Sequence, residues 1–377
     1  MAFVWIFEAS AVAPILGQLA ADFPGTSTLK IQLVSSAVFF TSIIMSVVAG
    51  ALARRFDRKR LVVIGLLVYG ITGMLPALAQ NIDQIIFLRL LTGIGVGLVL
   101  PMPNIIISER YSGNARERLL GLATAVANVA NVINSVIVGF ILLLGWRYAF
   151  LSFAIVLVIM LVQVFGLPAS PPPRHVSAGP RLGPNIWALP AKVWGLALFM
   201  IANWAIFQTN ILNMAFFMQS EHLGAPWTLG IAIALPALGS IITGGLFARL
   251  HGLLGRYLAA AGLVVFCLGF FLLANVHSLG ELMLANIVIG LGSGVLVPLI
   301  LYWTTQAVDE ERHEVALGVV SGCIHVGFIV APFAQAALAA TIGNPDVRVL
   351  FFVEAIVLAV AALVAAALSI ARVRQTA

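Results

Sequence analysis

Gly93-Ile94-Gly95-Val96-Gly97-Leu98-Val99-Leu100-Pro101 and Gly290-Leu291-Gly292-Ser293-Gly294-Val295-Leu296-Val297-Pro298 are one pattern written twice, 197 residues apart. Each copy lies inside a long apolar run. Neither carries the lysine of a phosphate-binding loop, so the glycines read as seams where helix backbones approach. At the same offset Gly121 falls on Gly318, Asn128 on His325 and Arg89 on Asn286. Two residues off that register, Gly50-Ala51-Leu52-Ala53-Arg54 falls on Gly245-Leu246-Phe247-Ala248-Arg249. Several matches in the same order predict a duplicated chain with two homologous halves.

Composition says what solvent the halves meet. Of 377 residues, 62% are hydrophobic and only 9% charged, with a mean hydropathy of +1.09. A soluble domain carries about 25% charged residues, so this chain lacks the polar surface water requires. The apolar runs are near the ~20 residues that cross a bilayer as helix, and too long for the ~10-residue strands of a barrel. Twelve spans are expected, at 2–21, 31–53, 61–79, 84–107, 119–143, 148–168, 193–217, 227–249, 257–275, 281–303, 315–339 and 348–371. The first holds Glu8 and has no basic leader, so it reads as a span and not as a cleavable signal. Residues 168–185 are rich in proline and glycine and hold no regular helix. They divide six spans from six: an amino-terminal bundle over 1–168, a linker over 169–192 and a carboxy-terminal bundle over 193–377.

The net charge of +6 reads as topology, not as nucleic-acid binding. With both termini inside, sixteen of the twenty basic residues fall in cytoplasmic segments. Only Lys30, Arg147 and Arg348 fall outside, and Arg89 lies within a span. That bias satisfies the positive-inside rule for an inner (plasma) membrane protein with cytoplasmic termini. Cys267 and Cys323 lie in apolar runs, with neither metal spacing nor a disulfide framework.

The loop after the second span reads Gly50-Ala51-Leu52-Ala53-Arg54-Arg55-Phe56-Asp57-Arg58-Lys59-Arg60. It resembles the G-x-x-x-D-R-x-G-R-K signature of the major facilitator superfamily. Arg54 replaces the usual Asp, and Asp57 the usual second Gly. Arg89-Leu90-Leu91-Thr92-Gly93-Ile94-Gly95 is similar to the family's R-x-x-x-G-x-G signature, and Gly145-Trp146-Arg147-Tyr148-Ala149-Phe150 to its G-W-R-x-x-F opening of span six. The resemblance covers essentially the whole chain. It implies an all-α polytopic membrane protein, twelve helices in two pseudo-symmetric six-helix bundles. It also implies a gating loop between the halves around Arg54, Asp57 and Arg58, and a role for Arg89 in proton coupling. The run Asp57-Arg58-Lys59-Arg60 is similar to the arabinose and sugar efflux branch, near the proton antiporters that export drugs. The G-x-x-x-G-P-x-x-G-G pattern of drug antiporters is missing; the region reads Asn131-Val132-Ile133-Asn134-Ser135.

Polar groups inside apolar spans carry the functional reading, because each costs free energy unless it faces a partner or a cavity. Glu8 is the one acidic residue well inside an amino-terminal span, so it is the candidate proton carrier, with Arg89 tuning it; Glu354 is the rival. Thr124, Asn128, Asn131 and Ser135 share a helical face, as do Ser321, His325, Phe328, Pro332 and Gln335. Asn203, Phe207 and Asn210 share a third face, where a ring between amides suits an amphipathic ligand. Asn128, Asn131, Asn203, Phe207, Asn210 and His325 are therefore candidate cavity residues. Helix–helix glue is the competing reading for these amides.

The expected function is secondary transport, proton-coupled export of a small amphipathic molecule by alternating access of the two halves. A facilitator or an importer of a small organic solute fits the same residues. A membrane enzyme or sensor is the other class, but no H-E-x-x-H, G-x-S-x-G or metal cluster stands in the sequence. The expected partners are a small-molecule substrate, protons and the lipid bilayer, with no cofactor, no metal and no nucleic acid, in a monomer.

Overall fold

The computed structural model describes residues 8, 11–53, 55–111, 113–167, 186–343 and 346–376. Within these, the side chains at 104, 108–109, 113–114, 116–117, 120–121, 124–125, 128, 311, 314 and 371–376 lie outside the description. The described residues form helices and turns and no strand. Ten helices are long and apolar enough to cross a membrane, and Val129–Ile141 adds a shorter apolar stretch.

Two compact units divide the chain, one of residues 1–180 with 225–231, the other of residues 181–224 with 232–377. In the first unit the helices are α1 (Leu16–Asp22), α2 (Thr28–Leu52), α3 (Arg58–Met74), α4 (Ile82–Val99), α5 (Met102–Arg110), α6 (Gly113–Ile141), α7 (Trp146–Leu151) and α8 (Ala154–Gly166). Then come α9 (Ala191–Ser220), α10 (Pro226–Gly245), which begins in the first unit and continues in the second, α11 (Phe247–Leu254), α12 (Leu258–Ala274), α13 (Leu279–Gln306), α14 (His313–Ile342) and α15 (Val347–Thr376).

The repeated glycines do the same work in both units. Gly93 and Gly97 face Val38 and Ser42 of α2, while Gly95 between them faces the backbone of Gly65 and Tyr69 on α3. Gly290 and Gly294 face Pro236 and Ser240 of α10, while Gly292 faces the backbone of Phe266 on α12. Tyr69 and Phe266 are themselves 197 apart. A Cβ on any of these glycines would stand closer to a neighbouring backbone than real Cβ atoms come. Glycine is therefore required by close approach, the packing that replaces the hydrophobic drive between helices in lipid.

The helix starts repeat as well. Asn81 caps α4 by accepting from Gln84 N at 2.9 Å, and Gln84 reaches back to Gln80 N at 2.9 Å. Ser278 caps α13 by accepting from Glu281 N at 3.3 Å, and Glu281 reaches back to His277 N at 2.7 Å. Each reciprocal cap satisfies amides that a helix start leaves orphaned, worth about 1 kcal/mol.

Three expected boundaries shift. The span predicted over 84–107 is two helices, α4 and α5, separated at Leu100 and Pro101. The hydrogen-bond ladder is interrupted there because Pro101 has no amide to donate. The span predicted over 148–168 begins at Trp146 and runs to Gly166, with a tighter turn at Ser152 and Phe153 between α7 and α8. The span predicted over 227–249 ends at Gly245, where α11 begins a separate short helix. Most of the expected linker, residues 168–185, lies outside the described residues.

Candidate functional site

Glu8 and Arg89 are both fully buried and form an ion pair. Arg89 is fixed by two further contacts. Its Nε donates to the Val34 carbonyl of α2 at 2.9 Å, and its guanidinium carbon lies 5.8 Å from the centre of the Phe153 ring between α7 and α8. The site thus draws on the first residues of the unit, α2, α4 and the α7–α8 turn. Burial of two charges is tolerated because each neutralises the other; removal of one leaves a charge stranded in a medium of low polarity. Phe153 and the Val34 carbonyl left no trace in the sequence pattern, since a ring and a backbone acceptor look like ordinary core.

The second unit carries a polar network centred on α9. Asn210 Nδ2 donates to Asn286 Oδ1 of α13 at 2.8 Å, and Asn286 Nδ2 donates to the Leu282 carbonyl at 2.9 Å. Asn213 Nδ2 donates to Gln335 Oε1 of α14 at 2.8 Å. The Thr209 hydroxyl faces the Glu354 carboxyl of α15. Asn286 stands 197 residues after Arg89, so the repeat-related helices α4 and α13 each carry a bridged polar side chain, joined by opposite charges in one unit and by two amides in the other.

Of the remaining candidates, Asn203 is buried with its Oδ1 lacking a hydrogen-bond partner, and Asn210 keeps an unpartnered Oδ1 beside its bond to Asn286. Phe207 is half-buried and meets Trp204 edge-on, with ring centres 5.3 Å apart. Trp204 also packs on Phe328 of α14 at 5.3 Å. His325 is half-buried and bonded to the backbone of Gly322. Asn131 is half-buried; the side chain of Asn128 lies outside the described residues. Neighbouring Asn134 and Ser135 are buried polar members of that helix.

Residues 1–260 and 255–376 match the sequence profile of the Major Facilitator Superfamily. The chain belongs to that superfamily. It is 23% identical over 277 residues to Multidrug resistance protein 1 of Bacillus subtilis (strain 168), across 72% of this chain and 71% of that one. It is 29% identical over 144 residues to Multidrug transporter protein MdtP of the same organism, across 38% of this chain. That match spans only 26% of MdtP, about a quarter of its length. The crystal structure of a mutant of the nucleoside transporter NupG shares the fold, with a TM-score of 0.82 at 14% identity over 97% of each chain.

Membership makes the chain an integral membrane protein of the all-α, twelve-helix major facilitator fold. In the superfamily's signature loop, Asp57 caps α3, accepting from Lys59 N at 2.8 Å. Arg58 is 4% exposed and thus buried at the same helix start. Arg54 lies outside the described residues.

Proposed function

We propose that the chain is a secondary active transporter, exporting a small amphipathic molecule in exchange for protons by alternating access of its two halves. One observation carries this: a carboxyl, Glu8, buried against a single cation, Arg89, within one unit of a superfamily transporter. Coupling needs a group whose proton affinity differs between the two conformations. A difference of one pKa unit is about 1.4 kcal/mol, enough for a tenfold bias per cycle. Arg89 supplies it by approaching Glu8 in one conformation and withdrawing in the other. The relatives named for multidrug resistance and multidrug transport support an amphipathic cargo. Asn203, Phe207 and Asn210 supply the apolar wall and placed amides such a cargo needs. The Arg54, Asp57 and Arg58 loop is assigned to gating between the halves, in an inner-membrane protein with cytoplasmic termini.

The test is transport in sealed vesicles with a panel of amphipathic cations, aromatic acids and sugars, with and without an imposed pH gradient. Wild type moves one class uphill only with the gradient, and Glu8→Gln abolishes uphill movement while keeping exchange. Counterflow indifferent to the gradient makes the protein a facilitator. No flux of any solute favours the sensor or enzyme class.

A further inference from the structure

We propose that Glu354 is a second proton-binding carboxyl, placed in the other half of the chain from Glu8. Its side chain is 8% exposed, on α15. Among the described residues no ion pair involves it, and its Oε2 has no hydrogen-bond partner. The contrast with Glu8 is in the repeat-related helices α4 and α13: Arg89 in one, Asn286 in the other. The half holding Glu354 thus has an amide where the other has a cation.

Hydrogen-bond bookkeeping supplies the chemistry. Thr209 has one hydroxyl hydrogen, and its Oγ1 donates to the Ala205 carbonyl at 3.2 Å. While that hydrogen points at Ala205, the Thr209 oxygen can only accept from Glu354, and a carboxyl donates only when it carries its proton. When the proton leaves, the hydroxyl turns from Ala205 and donates to the carboxylate. Thr209 therefore serves both protonation states with one rotation about its side-chain bond.

The charged and titratable groups around α15 leave this exchange to Glu354. Cys267 of α12 donates its thiol to the Ala355 carbonyl at 3.1 Å. Arg348, at the start of α15, is committed to Glu221. His325 of α14 is bonded to the Gly322 backbone. Arg256 meets α15 at Ser369, about four turns further along. The coupling role of this second proton rests on the proton-coupled reading above; proton binding at Glu354 does not.

Infrared difference spectroscopy of the purified protein in lipid bilayers, with pH stepped in sodium or choline buffer, reads carboxyl protonation directly. Wild type should show two buried-carboxyl components; Glu354→Gln should remove one and Glu8→Gln the other. Thr209→Val should move the midpoint of the Glu354 component measurably, because the bond to the charged carboxylate is about twice as strong as the bond from the neutral acid and the two losses do not cancel. A Glu354→Gln spectrum identical to wild type at every pH overturns the proposal. So does a component that titrates in choline and is displaced by sodium, which marks an alkali-cation site instead. Should Glu354→Gln fail to fold, Thr209→Val decides, and a component that does not move counts against Glu354. Failure of the transport reading is seen separately, as uphill transport by Glu8→Gln equal to wild type, and leaves the Glu354 spectrum standing.

Discussion

Glu221 accepts from both arms of Arg348, Nε at 2.8 Å and Nη2 at 2.6 Å. The same guanidinium donates to the carbonyls of Ala274 at 3.0 Å and Val276 at 2.7 Å. It thereby ties the end of α9, the end of α12 and the start of α15. The first unit repeats the device. Arg147 donates to the Ala79 carbonyl at 3.3 Å, 197 positions before Val276, and Trp146 Nε1 donates to Asp22 at 2.6 Å.

The clasp predicts a pH dependence of stability. Hydrogen bonds from Arg348, ahead of all other causes, hold the Glu221 carboxyl below the usual carboxylate range. A lowered folded pKa means the contribution is complete above the unfolded value, about 4.3, and is lost as pH falls through the folded one. At pH 7 Glu221→Gln should unfold at lower temperature than wild type, and the gap should narrow progressively as pH falls below the unfolded value, about 4.3. Arg348→Ala should cost about 2 kcal/mol, because it orphans a partly buried carboxylate and two carbonyls. Thermal melts in detergent at pH 7 and pH 4 check both; equal melting of Glu221→Gln and wild type at pH 7 rules the clasp out.

A second prediction concerns the glycine seams. Gly95 and Gly292 face backbone, which cannot rotate away, whereas nothing lies within 4 Å of a Cβ built on Gly50. Gly95→Ala and Gly292→Ala should each cost about 1–3 kcal/mol through overpacking. Gly50→Ala should be neutral or slightly stabilising, since alanine is the better helix former. Folded yield and melting temperature of the three variants decide, and similar behaviour of all three would contradict the seam.

These seams were the legible part of the fold. The pattern Gly-x-Gly-x-Gly announced both close contacts and the repeat, since only glycine lets two backbones meet. What followed it was not legible. Pro101 ends up between two helices, while Pro298, its repeat partner, sits inside the continuous helix α13. One local sequence has two outcomes because the tertiary surroundings decide whether the lost amide bond becomes a break. At the site, Glu8 and Arg89 stood out as charges in apolar runs, but their contact could not be read from depth along two separate helices. The Asn210–Asn286 bridge was equally hidden, although Asn286 was visible as the repeat partner of Arg89.

Orientation gives a third prediction. The basic bias predicts the 54–60 loop and the 168–185 linker in the cytoplasm and the loop around Asn344 outside. Ser177→Cys and Asn344→Cys, made in a chain whose Cys267 and Cys323 are replaced, should label with a membrane-impermeant thiol reagent from opposite sides of intact cells. Labelling of both from the outside would invert or discard this topology.

The last prediction separates what the Glu8–Arg89 pair does for folding from what it does for transport. Arg89→Ala leaves Glu8 buried without its cation and should cost about 3–5 kcal/mol. Arg89→Lys should recover only part of that. An ammonium keeps the charge, but it lacks the planar group that lies against Phe153 while its Nε donates to the Val34 carbonyl. Joint replacement by Glu8→Gln and Arg89→Gln removes both charges together, so neither is stranded, and stability should return to near wild type. Uphill transport should not return, because no titratable group remains at the pair. Melting temperature and gradient-driven flux, measured on the same four proteins, should therefore part company in the double variant. If the double variant recovers both, the pair is a structural bridge like Asn210–Asn286, and the coupling proton is carried elsewhere.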